Sequence, residues 1–339
     1  MKTSPPISLP QGVRDILPDE AEKIARVESA ILSTFRKYGF KRVVTPLLEY
    51  VDVLSRGMGA ELKANILKFI DPSTGMVMAI RPDITPQIAR LVSMRMRDFP
   101  LPLKLCYNES VFRYRREEKH ASKEILHIGA EYISKEASPA IDAEMIIMAA
   151  EALKKTGLRD FKIDIGDVGF VKRTFSRLTV DEERKKSIKD AVAKKDNPGL
   201  EAILKDLGGR VKSRDKKLLL ALTTFYGEKE VVKKAMALSS DAGAKKQLEY
   251  LRKVLDIIGR KGYMGSITVD LGEVRSLDYY TGIIFEGFAG DIGKTILGGG
   301  RYDTLLGKYG YPAGATGFAI NTENMVSALE RNARLDPPL

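Results

Sequence analysis

Two long strand-like runs, residues 103–114 (LKLCYNESVFRY) and 123–134 (KEILHIGAEYIS), flank one charged loop at 115–122. The second reads as the returning partner of the first, an antiparallel pair that needs further strands to bury its faces. A shorter pair at 66–70 and 76–80 flanks Asp71-Pro72-Ser73-Thr74-Gly75, which has hairpin-turn chemistry. Strand-like runs return at 161–165, 267–270, 282–289, 294–297 and 315–320. Hairpins dominate, without the strand–helix alternation of a doubly wound sheet, so the expectation is an α+β fold.

Apolar spacing sets the helices. Pro18, Asp19 and Glu20 start one, Ile24, Val27, Ile31, Phe35 and Tyr38 line its face, and Gly39 closes it. The run 40–50 (FKRVVTPLLEY) reads as a strand broken by Pro46, suited to an edge or an interface. Thr85 is a candidate N-cap with Pro86 at the first helical position. Asp83 then stands at the mouth of a strand-to-helix turn, where it either faces a ligand or caps the turn. Ser138 and Pro139 open an apolar helix carrying Ile141, Met145, Met148, Ala149 and Ala152. From 168 to 262, Lys- and Arg-rich helical segments alternate with weak breakers at Asn197-Pro198-Gly199 and Gly208-Gly209. This stretch reads as a helical insertion between two halves of one core, 1–167 and 263–339. A last helix carries Met325, Val326 and Leu329.

Composition narrows the function. One cysteine, Cys106, excludes an internal disulfide and suits a reducing cytosol, so a cytoplasmic location is expected. With only His120 and His127 beside it there is no zinc set, and no Ser/His/Asp ordering stands out. Neither common phosphate-loop motif occurs, so nucleotide binding by such loops is not expected, and no cofactor is assigned. No apolar run approaches the roughly 18 residues a membrane span needs. The formal charge of +11 invites nucleic acid as a partner. Much of the excess lies in the middle segment rather than along an aromatic-studded groove, which favours a mixed, lysine-rich surface.

The segment 270–303 concentrates polar chemistry: Glu273 and Arg275, the pair Tyr279 and Tyr280, then three glycines followed by Arg301, Tyr302 and Asp303. Glycine breaks regular structure and lets backbone approach a ligand. Two readings stay open on the residues alone: a pocket wall for a small polar molecule, or a β-hairpin with a tight bend and ordinary surface polars.

Taken in order, these blocks resemble the catalytic domain of a class II aminoacyl-tRNA synthetase, specifically histidyl-tRNA synthetase. LPQGVRDILP resembles that family's opening, and YGFKRVVTPLLEY its motif 1, which builds the family's dimer interface. NESVFRYRREEKHASKEILHIGAEYIS occupies the place of motif 2, RSLDYYTG and GGGRYD resemble the histidine-recognition segments, and GFAINTENMVSAL stands at motif 3. The resemblance implies an antiparallel sheet flanked by helices and a histidine site at Asp83, Thr85, Arg113, His127, Glu131, Arg275, Tyr279, Tyr280 and Tyr302. In it, Asp83 would meet the ligand's α-ammonium, Arg113 and Arg275 its carboxylate, and the tyrosines its imidazole. His127 stands where the family has glutamine, and Ser276 where it has glycine.

The departures bear on activity. Arg113 remains in the motif 2-like strand, but Arg115 replaces a glutamate, and Ala121, Ser122 and Lys123 occupy the loop that handles ATP. Asn324 replaces the motif 3 arginine. Each lost charge-assisted contact costs about 1.5–3 kcal/mol, so amino-acid activation is not expected and no catalytic residue is assigned. With the sequence ending at Leu339, soon after the last motif, no C-terminal anticodon-binding domain is expected. This combination resembles the family of ATP phosphoribosyltransferase regulatory subunits. That resemblance implies a non-catalytic protein of histidine biosynthesis that activates a short catalytic subunit, forms a hetero-octamer with it and conveys feedback inhibition by histidine. It also implies a homodimer through the motif 1-like segment, and neither tRNA nor a membrane as partner. Two alternatives stand beside it: a divergent histidine-activating enzyme, and a tRNA-binding paralog using Lys185, Lys186, Lys194, Lys195, Lys216 and Lys217.

Overall fold

The computed structural model describes residues 8–114, 122–273, 279–289 and 293–335. Helix α1 (Pro18–Lys37) follows its sequence closely: Pro18 and two acids open it, Arg36 and Lys37 end it, and Ile24, Val27, Ile31 and Phe35 are buried. Gly39, at φ +82°, supplies the left-handed turn after it.

The run 40–50 does not form one strand. Its first part is β1 (Lys41–Arg42) and its last is β2 (Leu48–Tyr50), and the two lie in different sheets. Pro46 falls in the break, where Arg81 bonds the carbonyl of Thr45 through Nη1 at 2.9 Å and that of Leu47 through its backbone N–H at 3.1 Å. Short helices α2 (Val51–Leu54) and α3 (Ala60–Ala64) lead to the hairpin β3 (Lys68–Ile70) and β4 (Val77–Ile80), which completes a three-stranded sheet with β2.

After α4 (Thr85–Arg95), the expected long hairpin appears as β5 (Leu103–Phe112) and β6 (Glu124–Ser134), paired antiparallel along their whole length. Helix α5 (Pro139–Lys155) is capped by Ser138 as its sequence implies, and β7 (Phe161–Asp167) follows. The helical region comprises α6 (Val168–Ser176), α7 (Glu182–Ala193), α8 (Asn197–Asp206), α9 (Ser213–Leu222), the short strand β8 (Tyr226–Gly227), α10 (Glu230–Leu238) and α11 (Ala242–Arg260). The chain then completes the sheet with β9 (Ile267–Asp270), β10 (Ile283–Ala289), β11 (Thr295–Arg301) and β12 (Gly314–Asn321), and ends in α12 (Thr322–Leu335).

The nine-stranded sheet runs β1-β5-β6-β12-β11-β10-β7-β9-β8. It is antiparallel from β5 to β7, as expected, but parallel at the pairs β1–β5 and β7–β9, so the sheet is mixed. Strand alternation divides it into two faces. Cys106, Ile128, Ala130, Phe285 and Phe318 join the larger apolar cluster with residues of α1, α5 and α12. Leu105, Tyr107, Ile133 and Ala315 face the other way, into a smaller cluster with Ile88, Val92, Tyr279 and Tyr302. Helices α6 to α11 share the larger cluster through Phe170, Ile188, Leu200, Leu219, Leu248 and Leu255. Residues 168–262 hold 24 Lys and Arg against 13 Asp and Glu, a formal +11, while the rest of the chain is balanced.

Three local expectations are corrected. Asn197-Pro198-Gly199 is not a break but the first turn of α8, with Asp196 accepting the Gly199 N–H at 2.9 Å. Proline fits a first helical turn, where its missing N–H is not needed. Gly298, Gly299 and Gly300 do not form a bend: they are extended in the middle of β11, between β10 and β12. A Cβ on Gly299 would lie 2.4 Å from that of Phe318, so close strand packing requires glycine there. Arg301 does not line the smaller-cluster face. Its Nε and Nη2 donate to both oxygens of Asp142 on α5, at 2.9 and 2.7 Å, and Tyr250 of α11 donates to the same carboxylate at 2.7 Å.

Arg301 and Asp142 are 3% and 1% exposed, so removing one charge strands the other in the interior. Arg301→Met should lower unfolding stability by ~3–5 kcal/mol, read from the urea midpoint at constant slope.

Candidate ligand-binding site

The smaller-cluster face of the sheet carries the site, because its side chains are alternately acid, tyrosine and missing. On β6, Glu131 is 1% exposed, and its cross-strand neighbour on β12 is Gly317. A Cβ on Gly317 would lie 1.6 Å from a Glu131 carboxylate oxygen, so only glycine leaves that carboxylate its place. On β5, Tyr107 lies over Gly129, where a Cβ would sit 2.3 Å from the ring.

Three hydroxyls converge on Glu131. Thr85 donates to Oε1 at 2.8 Å, Tyr107 to the same oxygen at 3.3 Å, and Tyr302 to Oε2. A carboxylate has about four acceptor positions, so roughly one remains for a ligand. Burial and the nearby Asp83 charge push the Glu131 carboxyl up to about 8 against these donors. Asp83, 4% exposed, is also raised by burial, which outweighs the Arg113 charge and the bonds it accepts. Tyr279 donates to it at 3.1 Å, and the Thr85 N–H approaches at 3.4 Å. Burial holds the hydroxyls of Tyr107, Tyr279 and Tyr302 well above the usual tyrosine range, so they remain donors.

Thr85 is not the N-cap of α4. Ile84 holds that position, Thr85 is the first helical residue with Pro86 next, and its hydroxyl goes to Glu131 instead. Tyr279 packs against Tyr280 at 4.9 Å between ring centroids and edge-on to Tyr302 at 5.8 Å, giving the cavity an aromatic wall. Tyr280 also lies beside Gly300, whose added Cβ would be 3.0 Å from its ring. Two positions along the same face, a Cβ on Gly298 meets no heavy atom within 4 Å, so the floor there is open.

Asp83, Thr85, Glu131, Tyr279, Tyr280 and Tyr302 therefore come together. His127 lies on the same face of β6, four residues from Glu131, about 13 Å at strand rise. Burial and the Arg113 charge push its imidazole down to about 3, so it is neutral. Arg113, at this end of the groove, donates from Nε to the Pro82 carbonyl at 2.8 Å, which ties it to the chain just before Asp83. Arg275 lies outside the described residues, as do Arg115, Ala121 and Ser276. Asn324, at the motif 3-like helix, is bound elsewhere: its Nδ2 donates to the Thr295 carbonyl at 2.8 Å, and its N–H bonds the side chain of Asn321 at 3.0 Å. Tyr107 was missed, as were the glycines beneath the site. Counting by twos along the hairpin places Tyr107 on the face of Glu131, a signal present in the sequence.

Fold and site together define a histidyl-tRNA synthetase-like protein: that family's profile matches residues 12–325. A histidyl-tRNA synthetase from Nostoc superposes with a TM-score of 0.81, covering 97% of this chain and 77% of the other at 21% identity, which speaks to fold alone. Sequence relatives are more specific. An ATP phosphoribosyltransferase regulatory subunit of Geobacter sulfurreducens is 42% identical over 95% of this chain and 73% of its own, and one of Syntrophotalea carbinolica 39% identical over 97% and 76%. A Bacillus halodurans structure described as an ATP phosphoribosyltransferase regulatory subunit/histidyl-tRNA synthetase matches with a TM-score of 0.88 at 30% identity, covering 96% and 84%. The chain belongs to the family of ATP phosphoribosyltransferase regulatory subunits.

Gly298→Val places a branched side chain in the open floor without opposing strand geometry. Thermal melting should stay near that of the parent, while binding of an amino acid in this groove falls at least about tenfold, or ~1.4 kcal/mol by calorimetry.

Proposed function

We propose that this chain is the non-catalytic regulatory partner of a short-form ATP phosphoribosyltransferase catalytic subunit in the first step of histidine biosynthesis. It activates that subunit and conveys feedback inhibition by histidine, with which the groove over Glu131 is filled. The observation that carries the reading is the buried carboxylate pair, Asp83 and Glu131, kept beside an aromatic wall in a member of a regulatory family. Two desolvated acids favour a cationic ligand, since a positive group repays the burial that raises them. Histidine offers its α-ammonium to Asp83 and an imidazole N–H to the remaining acceptor position of Glu131, against Tyr279, Tyr280 and Tyr302. Arg113, with Arg275, is assigned the ligand carboxylate.

Aminoacylation is not expected. The Asn324 side chain is uncharged and spent on the Thr295 carbonyl, so it supplies no cation to a triphosphate. Inhibition requires histidine to favour one arrangement of the complex, and such a coupling is reciprocal, typically about 1–3 kcal/mol. The catalytic subunit should therefore shift histidine affinity about 5–150-fold. Calorimetry with and without that subunit reads this directly, and an unchanged affinity removes the allosteric reading. Because Glu131 is raised to about 8, a bound cation should also release protons near pH 7.

A homodimer through the motif 1-like segment, within a hetero-octamer, completes the proposal. Val44 and Leu47, before β2, are 69% and 48% exposed; Leu48 of β2, Ile70 of β3 and Val77 of β4 are 41%, 68% and 46% exposed. Apolar exposure concentrated on one small sheet, with Leu48 on one face and Ile70 and Val77 on the other, supports cover by another chain. Replacing Val44 and Leu48 by Glu should give a monomer by sedimentation while the circular dichroism spectrum is kept.

A further inference from the structure

We infer that two lysines of the helical region, Lys195 and Lys172, are positioning residues, Lys172 for the stretch that opens the groove's aromatic wall and Lys195 for the end of β9 in the same sheet. This rests on the ligand reading above only for what the groove binds. The stretches are Asp270–Gly272, at the end of β9, and Tyr279–Thr281, leading into β10.

At the first stretch, Lys195 Nζ bonds both carboxylate oxygens of Asp270, at 2.7 and 2.9 Å. The same Asp270 Oδ1 accepts the Gly272 N–H at 2.8 Å, so the ammonium and the local turn share one anchor. The helical region also meets this stretch by backbone. The Leu271 N–H donates to the Phe225 carbonyl at 3.0 Å. A Cβ on Gly272 would lie 2.5 Å from the Leu222 carbonyl and 2.6 Å from Lys195 Nζ, an approach that only glycine permits. At the second stretch, Lys172 of α6 donates from Nζ to the Tyr280 carbonyl at 2.8 Å. Tyr280 packs on Tyr279, and Tyr279 donates to Asp83, so two tyrosines link Lys172 to the acid pair.

The backbone of Lys195 supplies an independent sign. Its φ is +55°, the single positive value at a non-glycine among the described residues. It follows the α7 C-cap, Lys194, and its N–H bonds the Val192 carbonyl at 3.0 Å. That position is the usual place for glycine, which adopts this conformation without strain. A lysine strained there is accounted for by what its ammonium holds. A ligand that draws on Asp83 and the tyrosine pair therefore pulls on α6 through Tyr280, and through the sheet on β8 and α7.

Hydrogen exchange on the full chain, read by mass spectrometry for the parent, Lys195→Gly and Lys172→Met, tests this with and without millimolar histidine. Lys195→Gly relieves the backbone strain, so melting should be kept while amides of 268–273 exchange about tenfold faster. Lys172→Met should do the same at 279–289, and Lys195→Arg, which keeps the cation, should restore the parent pattern. Histidine should slow exchange at 279–289 and at 168–176 in the parent, and at 279–289 alone in Lys172→Met. Unchanged exchange at 268–273 and 279–289 in both variants overturns the positioning role. If histidine protects no segment of the parent while the variants still loosen these stretches, the ligand assignment falls and the positioning role stands.

Discussion

The bidentate pair between Arg301 and Asp142 joins the two halves of this structure. It lies where β11 leaves the sheet, and its partners come from α5 and, through Tyr250, from α11. Arg301 also accepts the Thr281 N–H on its carbonyl at 2.7 Å and bonds Asp303 through Nη1 at 2.9 Å. One residue thus fixes the helices behind the sheet and the turn that sends Tyr302 to its front. Such a pair contributes little net stability over an apolar isostere, but it tolerates no partial arrangement. Its effect is to allow a single relation between helices and groove.

In front of the sheet, the shape is made by omission. Glycines at 129, 298, 300 and 317 leave out side chains where Tyr107, an open floor, Tyr280 and Glu131 need the room. The acids are then held by hydroxyls rather than by a full complement of cations, which keeps their burial uncompensated. A site built this way is poised to take up positive charge, and the neutral, distant His127 does not compete for that role.

Much of this was legible in the chain, and the rest failed for identifiable reasons. The 103–134 hairpin, α1 and α5 combine long periodic patterns with end signals that agree, so propensity and packing point the same way. Thr85 looked like a cap because its neighbour is proline, but a buried carboxylate 2.8 Å from its hydroxyl outweighed the local use. The three glycines of β11 looked like a bend because glycine is weak in strands; the crowding of Phe318 and Phe285 against Gly299 reverses that preference. The run around Pro46 was read as one interrupted strand because nothing local announces that its ends belong to two sheets. His127 was grouped with Glu131 through resemblance; the two share one face of β6, about 13 Å apart at strand rise, with His127 at the Arg113 end.

The charge segregation has a dynamic consequence. With the whole formal +11 on residues 168–262 and a balanced remainder, the molecule is a large dipole whose positive end is the helical side. In a field gradient it turns before it arrives, so an acidic body meets α7 to α11 first and slides from there. Raising salt until the screening length falls below its physiological value of about 8 Å would randomise that orientation and slow encounter, while leaving the contacts of the bound state in place.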